Sequence, residues 1–459
     1  MLNKDDARNI FSRIAKFSSA DETEVYITGG TSALTRFANN VVTQNVAEEN
    51  FVVSVRVNFS GKTARATTNK WDDDSLRRVV ESASALARVQ ESDPDLPSVP
   101  GPEAFATGPD VARTFEETNA TGPEERAEAV AQMVNVAKRQ NLTAAGTFAT
   151  SEHVDAIVNA RGLATYYSGS AAEASVTMIA PDSSGWQKAN SPDVRNVSAK
   201  RLAEVAAEKA RTSAGPKELA PGKYTVVLEP AAVLDLVGFM FWDWGGLSVL
   251  DQRSFLSGRV GKQLFGENIS IWDDVYHPLQ SGPPFDGEGV RRKRVQLVEN
   301  GVIKSLVYAR GTAELMKKSP AAASVGPVGP TGHGLPLPND LGEIPLNIVF
   351  QAPNGTRTTQ QMVESTERGI YVTRLWYIRE VDAYEKILTG MTRDGTFLIE
   401  NGKIRHGVRN FRFNQSLIEM LKNVVEMGTP VRASGEESFD MVVPPMKVRE
   451  FNFTEVTKF

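Results

Sequence analysis

The 459-residue chain contains no cysteine. Disulfides, thiolate nucleophiles, cysteine-ligated zinc and iron–sulfur clusters are therefore excluded from its own chemistry. Histidine is scarce as well. His153, His277, His333 and His406 are the only four, and the nearest two, His277 and His333, stand 56 positions apart, so no His-x-x-His pair exists. Nucleotide and serine-hydrolase signatures are also missing. Gly258-Arg-Val-Gly261-Lys262 lacks the P-loop spacing and its Ser/Thr, and Gly326, Gly329, Gly332 and Gly334 sit among prolines rather than after a strand. No Gly-x-Ser-x-Gly elbow occurs. The longest apolar run, residues 231–242, is interrupted by Asp235 and falls short of the roughly 20 residues that cross a bilayer. The first seventeen residues are charged throughout and lack a signal-peptide h-region. Lys+Arg total 51 against 56 Asp+Glu, a net charge of -5, which argues against a broad phosphate-binding face. These absences predict a cytoplasmic protein that engages neither membrane nor nucleic acid.

What is present reads as α+β: two helix/antiparallel-strand units followed by a β-rich carboxy-terminal domain with a buried helix. Residues 1–91 form the first unit. Asp5 or Asp6 can cap a helix with Ile10, Phe11 and Ile14 on one face. Strand-like runs follow at 24–28, 33–37, 40–46, 51–59 and 63–68, and a second helix begins after the acidic positions 72–74. Residues 92–122 read as a linker, with prolines at 94, 97, 100, 102 and 109. Residues 123–217 repeat the order: a helix over 123–140, strand-like pieces at 142–150, 154–159, 164–168 and 174–179, and a closing helix over 198–213.

Residues 218–459 form the β-rich domain. A strand at 223–228 leads through Pro230 into a helix over 231–242 that is apolar nearly all round, hence buried. Asn300-Gly301 and Asn401-Gly402, each between β-branched runs, predict two tight hairpins in one antiparallel sheet or barrel. Shorter helices fit 359–368 and 415–425. Residues 319–342 hold five prolines and five glycines, a loop long enough to be functional or mobile.

Three local clusters have structural readings that outweigh chemical ones. Arg291-Arg292-Lys293-Arg294 leads straight into a hairpin and suits a charged strand edge. Trp242-Asp243-Trp244-Gly245-Gly246 reads as a helix end with core aromatics. Asp273, Asp274 and His277 could hold a metal in principle, but they lack a fixed periodicity.

Several stretches taken together resemble the TldD/PmbA family, also labelled modulator of DNA gyrase. They are Glu24-Val-Tyr26, Thr35-Arg-Phe-Ala-Asn-Asn40 with Gln44-Asn45, Val55-Arg-Val57 and Thr67-Thr-Asn69 near the start. In the last domain they are Leu346-Asn-Ile348, the helix with Glu364, Gly369-Ile-Tyr-Val372, Leu388-Thr-Gly390 and Gly395-Thr-Phe-Leu-Ile-Glu-Asn-Gly-Lys-Ile404. The resemblance implies dimers and two chain types. TldD-type chains carry zinc on a His-Glu-x-x-x-His helix with a further cysteine ligand, and TldE/PmbA-type chains lack that motif and pair with the catalytic chain.

Aligned through Pro230, the former metal-helix positions fall near Asp235, Leu236 and Met240, none of which is histidine. The resemblance thus implies no catalytic residue, no metal and no cofactor in this chain, zinc being expected in the partner chain. The leading expectation is a non-catalytic, TldE-like subunit of a cytoplasmic zinc peptidase, holding extended, unfolded peptide through contacts such as Arg36, Asn39, Asn40 and Gln44. The two asparagines fit turn positions equally well. Two alternatives stay open. One is a homodimeric peptide-binding protein without peptidase activity. The other is a peptidase with a relocated site, built from His277 or His333 with Asp251, Asp273 or Asp274.

Overall fold

In the computed structural model, the described residues are 2–105, 109, 111–353 and 355–457. Within the expected linker, 106–108 and 110 therefore lie outside them. Helix α1 (Lys4–Phe17) is capped by Asn3, not by Asp5 or Asp6. The Asn3 Oδ1 accepts from the amides of Asp5 (2.8 Å) and Asp6 (3.0 Å), while the Asp6 carboxylate accepts from the Asn3 amide (2.9 Å). The acidic pair instead occupies the first turn, where the helix dipole favours negative charge.

Strands β1 (Glu22–Ala38), β2 (Val41–Phe59) and β3 (Lys62–Thr68) and helix α2 (Asp73–Val89) complete the first segment. After a short helix α3 (Glu116–Asn119), the second contributes helix α4 (Pro123–Arg139), strands β4 (Thr143–Asn159), β5 (Ala164–Ile179) and β6 (Ser184–Ser191), and helix α5 (Ala199–Thr212). The strands of both segments join in one antiparallel sheet, ordered β3-β2-β1-β4-β5-β6. Helices α1 and α2 pack on Val25, Ile27, Val53 and Val55; α4 and α5 pack on Phe37, Ala144, Phe148 and Val176.

Pairs of short runs in the sequence are single long strands: pairing carries β1 through Gly29-Gly30, β5 through Gly169, and β2 and β4 through the mostly polar residues 47–50 and 151–153. Gly29 (φ 137°) lies against β2 so closely that a Cβ would sit 2.2 Å from the Asn50 carbonyl oxygen. The proline-rich segment is tied to the sheet: the Val99 amide donates to the Glu22 carboxylate, and Asn159 Nδ2 donates to the Pro100 carbonyl (2.8 Å).

The carboxy-terminal domain holds β7 (Gly222–Leu228), β8 (Ser270–Asp273), β9 (Val295–Glu299), β10 (Val302–Ile303) and β11 (Ile348–Gln351). They are followed by β12 (Arg368–Val372), β13 (Leu375–Asp382), β14 (Ile387–Thr392), β15 (Thr396–Glu400), β16 (Lys403–Gly407) and β17 (Phe411–Ser416), then β18 (Val424–Met427), β19 (Val431–Ala433), β20 (Met441–Val443) and β21 (Met446–Val456). They form two sheets: β10-β9-β8-β11-β20-β19, and β13-β14-β17-β21-β7-β12-β15-β16 with β18 on β21. Both Asn-Gly hairpins exist, with Asn300 and Asn401 at positive φ, but they belong to different sheets rather than to one.

Helix α6 (Pro230–Val237) is buried from Ala232 onward and tightens into a 3-10 turn over Gly238–Asp243, so the α-helix is shorter than the apolar run. The change falls where Gly238 meets Ser438; a Cβ there would lie 1.8 Å from the serine Oγ. The helices expected over 359–368 and 415–425 are likewise shorter, Thr359–Glu364 and Leu417–Lys422. Residues 319–342 pack on the domain, with Val325 and His333 buried.

Gly29→Ala should lower unfolding free energy by about 3 kcal/mol or more, against about 1 kcal/mol for Gly162→Ala. Gly162 (φ 88°) has open space around its Cβ position. Urea titration of both variants separates close approach from φ alone; equal losses would contradict the packing argument.

Candidate functional site

The expected metal-helix positions fall on α6 (Asp235 and Leu236) and on the 3-10 turn that follows it (Met240). Asp235, Leu236 and Met240 are all fully buried. Asp235 Oδ1 accepts the amides of Glu436 (3.1 Å) and Glu437 (2.9 Å), and Gly435 packs so tightly that a Cβ would meet the same oxygen at 2.1 Å. Among the described residues Asp235 Oδ2 has no hydrogen-bond partner, nor do the buried hydroxyls of Ser434 and Ser438 on the same loop. Burial raises the Asp235 carboxyl to about 7, and the charge of Glu437 adds to the rise. The two amide donors and Arg374 pull the other way. Leu236 and Met240 join the core around Phe241 and Trp244. Asp235 thus acts as a clamp that fixes the 434–438 loop against α6.

Arg36 and Gln44 lie opposite each other in the β1–β2 ladder, both exposed. Asn39 (φ 52°) and Asn40 (φ 63°) form the turn between those strands. Asn40 also ties the turn to β4: its Oδ1 accepts from the Ala144 amide (2.8 Å) and its Nδ2 donates to the Leu142 carbonyl (3.0 Å). The four residues share one hairpin end of the amino-terminal sheet, whereas α6 lies in the core of the carboxy-terminal domain.

His333 and Asp273 meet, Nε2 to Oδ1 at 3.0 Å, with no solvent access to either side chain. Asp273 Oδ2 accepts from the Asn347 amide (2.9 Å). Burial pushes the Asp273 carboxyl up, but the His333 charge, that contact and Arg292 outweigh it and hold the group below its ordinary value. His277 lies apart, its Nδ1 accepting from the Leu279 amide (3.2 Å), and burial lowers its pKa. Asp274 pairs with Arg294 (3.2 Å), and Asp251 pairs on the surface with Arg253 (2.7 Å). The expected alternative cluster is therefore one sealed pair and three separately occupied groups. The basic run is dispersed too: Arg291 stacks on Phe105, Arg294 on Trp272, and Arg292 is buried.

Sequence reasoning missed a junction between the two parts of the chain. Asp394 accepts from Arg374 Nη1 and Ser184 Oγ, each at 2.6 Å. Arg374 in turn stacks on Trp186 and Trp376. Beside this group opens a cavity of about 800 Å³. Its walls come from segments some 200 positions apart, and the one local signal, Asp394-Gly395, reads only as a turn.

The family model described as PmbA/TldA metallopeptidase C-terminal domain matches residues 221–455, and PmbA/TldA metallopeptidase domain 1 matches 23–87. The chain belongs to the TldD/PmbA family. It is 24% identical to Metalloprotease PmbA of Escherichia coli O157:H7 over 447 residues, 94% of this chain and 92% of that protein. Its fold is that of TldE from Thermococcus kodakarensis (TM-score 0.85, 18% identity, 98% of this chain and 99% of that one). The same holds for a Thermotoga maritima protein described as a putative modulator of a DNA gyrase (TM-score 0.83, 21% identity, 97% and 100%).

The residues present on α6 do not fit the zinc that the family name implies. A catalytic zinc takes three protein ligands and an open water position. Here one carboxylate, already committed to two amides, is flanked by Leu236 and Met240. Among the described residues no group of three or more His, Asp or Glu side chains is arranged to hold a metal. No helix of the described residues is long and apolar enough to cross a membrane.

Asp235 supplies a pH test. Its ordinary value of 3.8 rises to about 7 on folding, so the folded state holds a proton that the unfolded chain has released. Stability from this group is full below pH 4 and lost as pH rises through 7, on the order of a few kcal/mol. Asp235→Asn keeps an acceptor for the two amides and removes the titration. Its melting temperature relative to the parent chain should therefore be higher at pH 8 than at pH 4. An unchanged difference at the two values would show that the carboxyl keeps its ordinary pKa on folding.

Proposed function

We propose that this chain is a TldE/PmbA-type subunit that lacks its own zinc. In this reading it pairs with a TldD-type chain bearing the metal and holds extended, unfolded peptide for proteolysis in the cytoplasm. The observation that carries the reading is the state of α6. The helix on which the family resemblance locates the zinc ligands is filled by Leu236 and Met240, and its one acid is spent on fixing a loop. A chain that keeps the family's whole architecture without a ligand set is suited to a structural share in a two-chain enzyme.

The β1–β2 hairpin supports a binding role. Residues 41–50 are exposed on both faces of β2, and β3 covers the outer edge only from Val53 to Phe59. An open strand edge can take up an extended chain through main-chain hydrogen bonds. Arg36 and Gln44 flank that edge as candidate peptide contacts, while Asn39 and Asn40 set the turn that presents them.

The assembly is tested by mixing the purified chain with a zinc-loaded TldD-type chain at micromolar concentration. Sedimentation should give a one-to-one complex that degrades an unfolded peptide. The single chain should cleave nothing and carry less than about a tenth of an equivalent of zinc. A chain that stays monomeric beside its partner, or that retains a full equivalent of zinc through dialysis, would overturn the assignment.

A further inference from the structure

A second cavity, of about 330 Å³, opens beside the uncovered stretch of β2. Its floor is two rows of the amino-terminal sheet. Glu49, Thr31 and Glu152 stand opposite one another across β2, β1 and β4, and Ala47, Ala33 and Thr150 do so in the next row. Residues directly opposite in an antiparallel ladder share a face, so these six point to one side. Alanine at 33 and 47 leaves open a space that longer side chains would fill. The roof is the end of α3, Thr118 and Asn119, with Thr121 beyond it. That roof is pinned. Thr118 Oγ1 donates to the Pro192 carbonyl and accepts from the Val194 amide, each at 2.9 Å, and Thr121 Oγ1 donates to the Glu117 carbonyl (2.8 Å).

The lining carries charge of one sign. Glu48, Glu49 and Glu152 reach it, and no Lys, Arg or His does. Among the described residues none of these three acids stands in an ion pair; the Glu48 carboxylate accepts from the Ser32 hydroxyl (3.2 Å). Acids on a surface are ordinary, but Thr150 is a separate sign. It is 7% exposed and lines the cavity, and among the described residues its Oγ1 has no hydrogen-bond partner. A hydroxyl at that depth recovers its lost hydrogen bond from whatever enters the cavity.

Carboxylates at the mouth and an open hydroxyl on the floor suit a guanidinium, which has five N–H donors and no acceptor. The position decides how that group arrives. Neighbouring strands lie about 4.8 Å apart and side chains alternate between faces. A segment paired with β2 along residues 41–50 therefore sends a side chain over the cavity wherever it faces the side of Ala47 and Glu49.

We infer that this cavity takes an arginine side chain from an extended segment laid on the β2 edge. Glu49 and Glu152 hold the guanidinium, and Thr150 Oγ1 accepts one of its N–H groups. The inference rests on the peptide-holding role proposed above and narrows it to segments that carry a basic residue.

The test is isothermal titration of the full chain with the heptapeptide Thr-Val-Ser-Arg-Ser-Val-Thr, blocked at both ends, and with its counterparts carrying glutamine or glutamate at the centre. The arginine peptide should bind, the glutamine peptide about tenfold more weakly, and the glutamate peptide more weakly still. Glu49→Gln and Glu152→Gln should each shrink the preference for arginine over glutamine several-fold while leaving the affinity for the glutamine peptide unchanged. Thr150→Val should do the same. Glu49 is exposed, so its variant keeps the fold and the test stands even where a buried change does not. Glu419→Gln, on the short helix Leu417–Lys422, should leave the preference unaltered. Equal affinity for the arginine and glutamine peptides overturns the cavity assignment and leaves the open edge as a peptide site. A preference that survives the paired Glu49→Gln and Glu152→Gln changes overturns it too. Absence of binding by all three peptides at millimolar concentration overturns the cavity and the peptide-holding role together, whereas pairing with a zinc-bearing chain is read separately by sedimentation.

Discussion

A buried carboxylate accepting main-chain amides is the interaction on which the carboxy-terminal domain depends. That domain has many loops, short strands and no disulfide to fix them. Asp286 takes the amides of Glu288 (2.9 Å), Val290 (2.9 Å) and Gly334 (2.7 Å). Glu343 takes those of Leu247 (2.8 Å) and Ala309 (3.0 Å), and Glu288 takes that of Arg310 (3.0 Å). Asp235 and Asp273 do the same for the 434–438 loop and for Asn347. Each acid satisfies donors that would otherwise be buried without partners, at the cost of its own desolvation. Burial raises the carboxyls of Asp235, Asp286 and Glu343 to about 7. Asp273 is the exception, because it alone has a histidine against it.

The same device operates at α6. A helix position facing the interior of this domain can be a ligand or a clamp. Asp235 is the second: its one unpartnered oxygen stands alone, and the positions one residue and one turn along carry Leu236 and Met240. The family's architecture persists around it because the sheets and core need only apolar residues at those places, and Leu236 and Met240 pack there as well as any.

Much of this was legible in the sequence, and the misses have physical causes. The presence of the helices, the Asn-Gly hairpins and the burial of α6 follow from local chemistry, which acts over a few residues, whereas helix ends are decided by what packs against them. The cap at Asn3 was misplaced because three polar residues near the amino terminus can all accept an amide, and only geometry chooses. Strands were read as broken wherever glycine or charge interrupted the alternation, as at Gly29, whereas tertiary pairing carried them through. That the hairpins at Asn300 and Asn401 lie in separate sheets is a long-range fact with no local sign. The same is true of the contact between His333 and Asp273, sixty positions apart, and of the junction where Ser184 meets Asp394.

The half-covered strand β2 has a consequence for the chain at high concentration. Ten successive residues, Val41, Val42 and Val46 among them, are open on both faces, and the outer edge beside them offers a row of peptide groups. Such an edge is a template on which any extended segment can grow a sheet, another copy of the same hairpin included. Glu48 and Glu49 are the charges set against that outcome. Left open, this edge gives the chain a path to aggregation that steepens with its concentration.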